Sequence, residues 1–140
     1  MYYEFEIDIP ANTKASAPVS QELKLTAGIV HYVEIEFPSG CAATDGSGNL
    51  VHLQIRQPEA TYLPTNPDGS FASDNHVIAF NEHKELSPGN DLLKLYAWND
   101  DDTYAHTLRL RIGVLPKDVV EPQGSLGSAL DKFLQLVGIK

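Results

Sequence analysis

The chain has 140 residues, 42% of them hydrophobic, which is enough for one domain with a core of ordinary size. Nineteen acidic residues against ten basic ones give a formal net charge of -9, a field that opposes binding to nucleic acid phosphates. Cys41 is the only cysteine, so an intramolecular disulfide and a zinc site built on several thiolates are excluded.

The N-terminal residues and the apolar runs bear on localisation. The first residues have neither the basic region nor the apolar region of a signal peptide, so synthesis in a cytoplasm is expected. No apolar run approaches the roughly 18 residues that a membrane-spanning helix needs. We therefore expect no membrane partner and, from the charge, no nucleic acid partner.

Alternation of apolar and polar residues, the pattern of strands with one buried face, starts at the beginning of the chain. From Tyr3 to Ile9 the odd-numbered residues are apolar and the even-numbered ones are acidic, and Pro10 ends the run. The same kind of pattern predicts strands in further segments, at 23–25, 33–37, 51–55, 76–80, 93–98 and 108–114, and a short one at 61–63. The expected number of strands is therefore seven or eight.

Turn-forming residues separate these segments. Residues 44–49, 87–90 and 99–102 are rich in Gly, Pro, Asn, Asp and Ser, which favour tight turns. Short strands joined by turns, with no helical pattern between them, predict an antiparallel β-sandwich. Eight strands divide naturally into two sheets, so we favour a jelly roll, with an up-and-down barrel as the alternative. Arg109 and Arg111 should pair across strands with the carboxylates of the first and third strands.

The pattern changes after Pro116, which we take as the end of a sandwich domain, residues 1–116. Residues 117–124 contain Pro122 and Gly124 and are predicted to be a linker. Residues 125–140 are predicted to form an amphipathic helix, because apolar residues recur there every three or four positions. The apolar face of this helix consists of Leu126, Leu130, Phe133, Leu134 and Val137.

The predicted helix carries its own start and stop signals. Ser128 and Asp131 have the spacing of a capping box, and Gly138 is placed to end the last turn. A helix of about 12 residues is marginal in water by itself, so its apolar face must be covered. Either the helix packs on its own sandwich as a lid, or the linker lets it dock on another subunit as a partner-binding arm.

The sequence contains no pattern typical of a catalytic or cofactor site. Gly46-Ser47-Gly48 is a turn without the nucleophile-elbow pattern, and there is no phosphate-binding or dinucleotide motif. The five histidines include no closely spaced pair. His76 and His83 could meet across a turn with Glu82, but exposed residues of a strand and its loop explain them without a metal. We therefore expect no catalytic residues, no metal and no cofactor.

Two further clusters have a structural and a functional interpretation. Residues 99–102 form the densest group of oxygen ligands, for which Asx-turn chemistry is favoured and a bound cation is the alternative. Tyr96 and Trp98 share one face of a predicted strand and Tyr104 follows the turn, so these rings could form a platform for a sugar. The neighbouring even-numbered residues, one apolar and one basic, leave open whether that face is buried.

The alternating segments 3–9 and 108–114, with the arm at 123–140, give an all-β sandwich entered at the second residue and followed by a detachable helix. In this architecture the chain resembles small virion structural proteins of tailed bacteriophages, of the capsid decoration or cement type. The resemblance implies a non-enzymatic role. It also implies self-association into a dimer, trimer or larger ring, and docking on a capsid or tail lattice through the arm.

Two functional hypotheses follow from the sequence. The first is a structural or assembly protein, a virion component that forms homo-oligomers and binds a protein lattice. The alternative is a carbohydrate-binding module that uses Tyr96, Trp98 and Tyr104. A third possibility, an enzyme of the cupin type, would need two or three histidines and a carboxylate inside the barrel.

Overall fold

The structure is a computed structural model that describes residues 1–57, 60–66, 69–88 and 92–116. Within these ranges the chain forms β-strands and no helix, and thus no helix that is long and apolar enough to span a membrane. The predicted linker and C-terminal helix, residues 117–140, lie outside the described residues. The strands are β1 (Tyr2–Ile9), β2 (Val19–Leu23), β3 (Gly28–Phe37), β4 (Val51–Gln57), β5 (Ala60–Leu63), β6 (His76–Leu86), β7 (Leu93–Asn99) and β8 (His106–Pro116).

The strands form two antiparallel sheets, which we call the first sheet, of order β1-β8-β3-β6, and the second sheet, of order β2-β7-β4-β5. Four of the pairings follow one rule: β1 pairs with β8, β2 with β7, β3 with β6 and β4 with β5. The chain is thus a single antiparallel ribbon that doubles back between β4 and β5. Successive pairs of the ribbon lie in alternate sheets, which brings β8 beside β3 and β7 beside β4.

The two sheets pack face to face around one core of aliphatic side chains. On β8 the even-numbered residues from Leu108 to Val114 are buried. Of the residues between them, Arg109 and Arg111 are exposed or half-buried, and Gly113 is buried. Ile35 on β3 and Leu95 on β7 belong to the same buried cluster, so the core joins both sheets. Burying one such side chain stabilises the fold by about 1.5–3 kcal/mol. The predicted all-β fold of antiparallel strands is confirmed.

Ion pairs that cross strands hold the outer face of the first sheet. In the strand register Arg111 on β8 lies opposite Glu4 on β1 and opposite Glu34 on β3. Its guanidinium donates hydrogen bonds to the carboxylates of Glu34 (2.5 Å), Glu4 (3.3 Å) and Glu36 (3.3 Å). The bond from Arg111 holds the pKa of Glu34 below its usual range. The pairing of this arginine with the first and third strands, predicted from the sequence, is confirmed.

Two strands differ from the predicted segments. β2 ends at Leu23, the position where the sequence predicted a strand to begin. Leu23 pairs with Leu93, the first residue of β7, so the pairing of the two strands ends there. Gln21 lies two positions earlier on the same face and hides the alternation. β6 extends to Leu86, beyond the predicted end at Phe80, because its backbone continues to pair with β3 although residues 81–85 are polar on both faces.

Replacing Arg111 with Met is expected to destabilise the fold more than the matched change Arg109→Met. Arg111 separates three carboxylates, which would repel one another in its absence, whereas Arg109 bonds to Glu6 alone among the described residues, at 3.0 Å. Salt screens repulsion, so raising the ionic strength from about 0.01 M to about 1 M should reduce the loss. Urea unfolding midpoints of the two variants, compared at both ionic strengths, measure the loss of stability. Equal losses, or a loss that grows with salt, would contradict this assignment.

Candidate functional site

The predicted aromatic platform lies on the outer face of the second sheet. Along β7 the odd-numbered residues from Leu93 to Asn99 are buried, and the even-numbered residues between them are half-buried. Tyr96 and Trp98 therefore point outward together with Lys94. The sequence left open which face of this segment is buried. In the structure the even-numbered face, which carries Lys94, is the outer face of the strand.

Trp98 stacks on a histidine of the neighbouring strand. His52 on β4 is its partner in the strand register, and the two rings are 5.2 Å apart between centroids with an interplanar angle of 10°. The Nδ1 atom of His52 lies 2.8 Å from the hydroxyl oxygen of Ser70, and its Nε2 atom lies 3.8 Å from the carboxylate of Asp100. One face of the indole is therefore covered by a ring that is itself held in place.

Tyr96 is covered in the same way by an arginine. The guanidinium carbon of Arg56 lies 4.4 Å from the centroid of the Tyr96 ring, a cation–π contact. Arg56 Nε donates a hydrogen bond of 3.0 Å to the side-chain oxygen of Gln54, and the Gln54 amide donates to the backbone oxygen of Gly69 at 2.5 Å. The outer face thus combines two aromatic rings with fixed polar groups, while the ring sides toward β4 are occupied.

Tyr104 lies in a different place, in the turn between β7 and β8, and is 68% exposed. It lines a cleft of about 480 Å³ between this turn and the loop that joins β3 to β4. Acidic and hydroxyl side chains line the cleft on both sides, among them Asp45, Ser47, Asp100 and Asp102, and the β3–β4 loop also contributes apolar side chains. The structure therefore brings Tyr96 and Trp98 onto one face and places Tyr104 at the cleft.

The oxygen-rich segment 99–102 forms an Asx turn. The backbone N–H of Asp101 donates to the side-chain oxygen of Asn99 at 2.9 Å. The Asp101 carboxylate in turn accepts the backbone N–H groups of Thr103 (2.9 Å) and Tyr104 (3.2 Å). The favoured interpretation of this segment is confirmed. Across the described residues, no three His, Cys, Asp or Glu side chains are grouped so that they could hold a metal ion.

A buried polar network behind this turn was not predicted. Asn99 is fully buried, and its amide donates to the backbone oxygens of Tyr104 (2.9 Å) and Ile9 (3.3 Å), which ties the turn to the end of β1. The His106 ring lies 2.9 Å from the Asp101 carboxylate. Hydrogen bonds from Thr103 and His106 hold the pKa of Asp101 below its usual range. The signal in the sequence was a polar residue, Asn99, at an inward position of its strand.

The remaining candidate groups have structural surroundings. Cys41 is fully buried, which raises the pKa of its thiol to about 11, and its backbone N–H donates to the Asp74 carboxylate at 2.9 Å. The thiol is therefore protonated at neutral pH, as expected for a buried apolar residue. His76 and His83 are both exposed on β6. His31 packs edge to face against Tyr2, with ring centroids 5.8 Å apart.

Compared with known proteins, the chain matches no protein-family model, no curated protein and no solved structure. The functional assignment of its surfaces therefore rests on the geometry of this chain alone.

The change Asp101→Asn is expected to lower stability at about pH 5 and to matter much less at about pH 3. A carboxyl whose pKa is lowered in the folded state stabilises the fold above the unfolded pKa, about 3.9 for Asp, and loses this effect as it is protonated. Asn keeps one acceptor oxygen for the N–H groups of the turn, and it removes the charge and replaces the oxygen that contacts His106 with an amide nitrogen. Urea midpoints across this range measure the difference. Asp102→Asn is the control, because the Asp102 carboxylate accepts a bond from exposed Thr103 only; a pH-independent loss for Asp101→Asn would contradict the account.

Proposed function

We propose that this protein is a jelly roll that serves as a non-enzymatic structural component of a virion, of the capsid decoration or cement type. In this role it forms homo-oligomers and docks on a protein lattice. The observation that carries the proposal is the wrapped ribbon with a solid aliphatic interior. Jelly rolls consist of eight strands in two sheets and occur in viral capsid proteins, lectin domains and cupins.

The filled interior argues against a cupin-type enzyme. Leu53, Leu95 and Leu110 come from three central strands, and each is 0% exposed in the common cluster. A metal site of the cupin type needs histidines among such inward positions. The one histidine among the buried described residues, His106, lies at the first residue of β8 and contacts Asp101. With the interior occupied by apolar side chains, binding is left to the outer faces, the sheet edges and the loops.

The C-terminal arm is the second element of the proposal. β8 ends at Pro116, which pairs with Gly28 at the start of β3, and Gly28 also pairs with Leu86 at the end of β6. Pro116, the last described residue before the predicted linker 117–124 and arm 125–140, is therefore separated from the last residue of β6 by one strand, β3. We propose that the arm docks in trans, because a linker of this length gives the apolar face access to another subunit or to the lattice.

Light scattering on the full chain tests the proposal. We expect a molar mass that is a multiple of the 15.4 kDa of one chain. The double change Leu130→Asp and Phe133→Asp should lower that mass, because two charges on the apolar face of the arm oppose its burial. The matched control, Ser125→Asp with Gln135→Asp, adds the same two charges to the opposite face of the predicted helix and should leave the mass unchanged.

Two outcomes would contradict the proposal. A full chain with the mass of one subunit at every concentration would contradict the assembly function. An oligomer whose mass is the same in both double variants would contradict the role of the arm and leave the assembly function in place.

Carbohydrate binding is the second candidate function, and one observation favours it. Tyr96 and Trp98 share an outward face with the guanidinium of Arg56, so aromatic rings and a hydrogen-bonding group lie side by side. Sugars are bound by such combinations of aromatic and polar groups. If the protein is an assembly component, we expect no sugar ligand on this surface. The sides of the Trp98 and Tyr96 rings that face β4 are already covered by His52 and Arg56.

Tryptophan fluorescence separates the two candidates, because Trp98 is the only tryptophan. We expect no change in emission when soluble glycans are titrated into the protein. A saturable change that is lost in Tyr96→Ala and retained in Tyr104→Ala would support the carbohydrate module instead. Tyr104→Ala is the control because Tyr104 lies at the cleft and not on the outer face of the second sheet.

A further inference from the structure

We infer that the free edge of β6 pairs with β6 of a second copy about a two-fold axis centred on Ala79. The inference rests on the proposed assembly function and names one of its interfaces. β6 is the last strand of the first sheet and is hydrogen-bonded to β3 on one side. Its other side meets no further strand among the described residues, so its outward N–H and C=O groups can pair with another chain.

The four sheet edges differ in how they are protected. β2 and β5 are short, with five and four residues, and the outer face of β1 carries Glu4, Glu6 and Asp8. Short length and charge are the usual means of blocking edge-to-edge pairing. β6 has 11 residues, and its first half, residues 76–81, contains no Asp, Glu, Lys or Arg. Within the part of the chain that the structure describes, this half of β6 has neither of these protections.

The core is also incomplete along this half of β6. Ile78 and Phe80 face inward but are only half-buried, whereas Ile35 and Val33, their partners on β3, are at most 1% exposed. Val77 on the outer face is 42% exposed. A strand added beyond β6 would cover these apolar side chains on both faces, as β6 itself covers those of β3.

The side chains of β6 are complementary to a second copy of themselves when the axis passes through Ala79. In that register Ile78 faces Phe80 of the partner copy, and His76 faces Glu82 of the partner copy. The axis itself brings two small alanine side chains together, which permits close approach of the backbones. Residues 76–82 of each copy pair, and no two like charges lie opposite each other.

The other half of β6 is a poorer interface. An axis through His83 would pair residues 80–86, of which three are charged, and would bring two histidines together. Lys84 is already placed over the Tyr62 ring, 5.1 Å from its centroid. This half also lies against the register shift of β3 between Val30 and Tyr32, and charges and bulges both discourage edge pairing.

The charge of the chain does not prevent two copies from meeting at this edge. The outer-face carboxylates beside this edge are those of Glu34 and Glu36 on β3. In the strand register they lie opposite Ala79 and Val77 of β6. Both are hydrogen-bonded to Arg111, whose single positive charge offsets part of their negative charge within each copy. Repulsion between two acidic chains at this edge is therefore reduced.

Cysteine cross-linking of the full chain tests the inference and its register. Ala79→Cys should form a disulfide-linked dimer on mild oxidation, because the two residues would face each other across the axis. His83→Cys is the matched control on the same strand. In the proposed register its two copies are offset by eight residues, about 27 Å along the strands, so no dimer should form. The native Cys41 is fully buried and leaves the background low.

A reversible variant checks the same contact without a covalent bond. Ala79→Lys should raise the dissociation constant of the oligomer by about tenfold or more, since it places two like charges together. Ser20→Lys, on the exposed face of the β2 edge, should leave it unchanged.

The outcomes separate this inference from the assembly function. Cross-linking through His83→Cys would overturn the proposed register. A protein that is oligomeric by light scattering but forms no dimer through Ala79→Cys would overturn the inference and leave the assembly function standing. A full chain that stays monomeric would remove both.

Discussion

The position of β8 between β1 and β3 is the constraint on which the rest of the fold depends. One face of β8 supplies aliphatic side chains to the core, and the other supplies Arg111, whose guanidinium binds carboxylates from the strands on both sides. The bond from Arg111 to Glu4 joins residues 107 positions apart in the chain. Closing so long a loop costs entropy. The apolar contacts of one face of β8 and the ion pairs of the other face together offset this cost and fix the strand register.

Once β1 and β8 are paired, the course of the ribbon determines the interior, the ends and the sheet edges of the molecule. The interior is filled, one end carries the turn fixed by Asn99 and Asp101, and no further strand of the described residues pairs with the outer edge of β6. Arg111 bears on this last feature as well, because its single positive charge offsets part of the negative charge of Glu34 and Glu36 beside that edge. The same ion pairs that set the register of the first sheet thus allow an acidic chain to approach a second copy of itself.

The sequence predicted those elements whose two faces meet different surroundings. β1 and β8 are wet on one face and buried on the other, so alternation located them, and the pairing of Arg111 with acidic strands followed from the charges. β2 was misplaced because Gln21 interrupts its inward face, and the second half of β6 was missed because residues 81–85 are polar on both faces. The contact of His106 with Asp101 depends on the conformation of the turn between them, and the position of β6 at a sheet edge depends on strand order; periodicity contains neither.

Hydrogen exchange of the backbone amides tests most directly whether the open edge of β6 is an interface. The measurement compares the full chain at low and high protein concentration, residue by residue. The account predicts that alternate amides in residues 76–82, those that point away from β3, exchange more slowly as concentration rises. Amides on the free edge of β2 should exchange at the same rate throughout. Exchange along residues 76–82 that is independent of concentration in an oligomeric protein would contradict it.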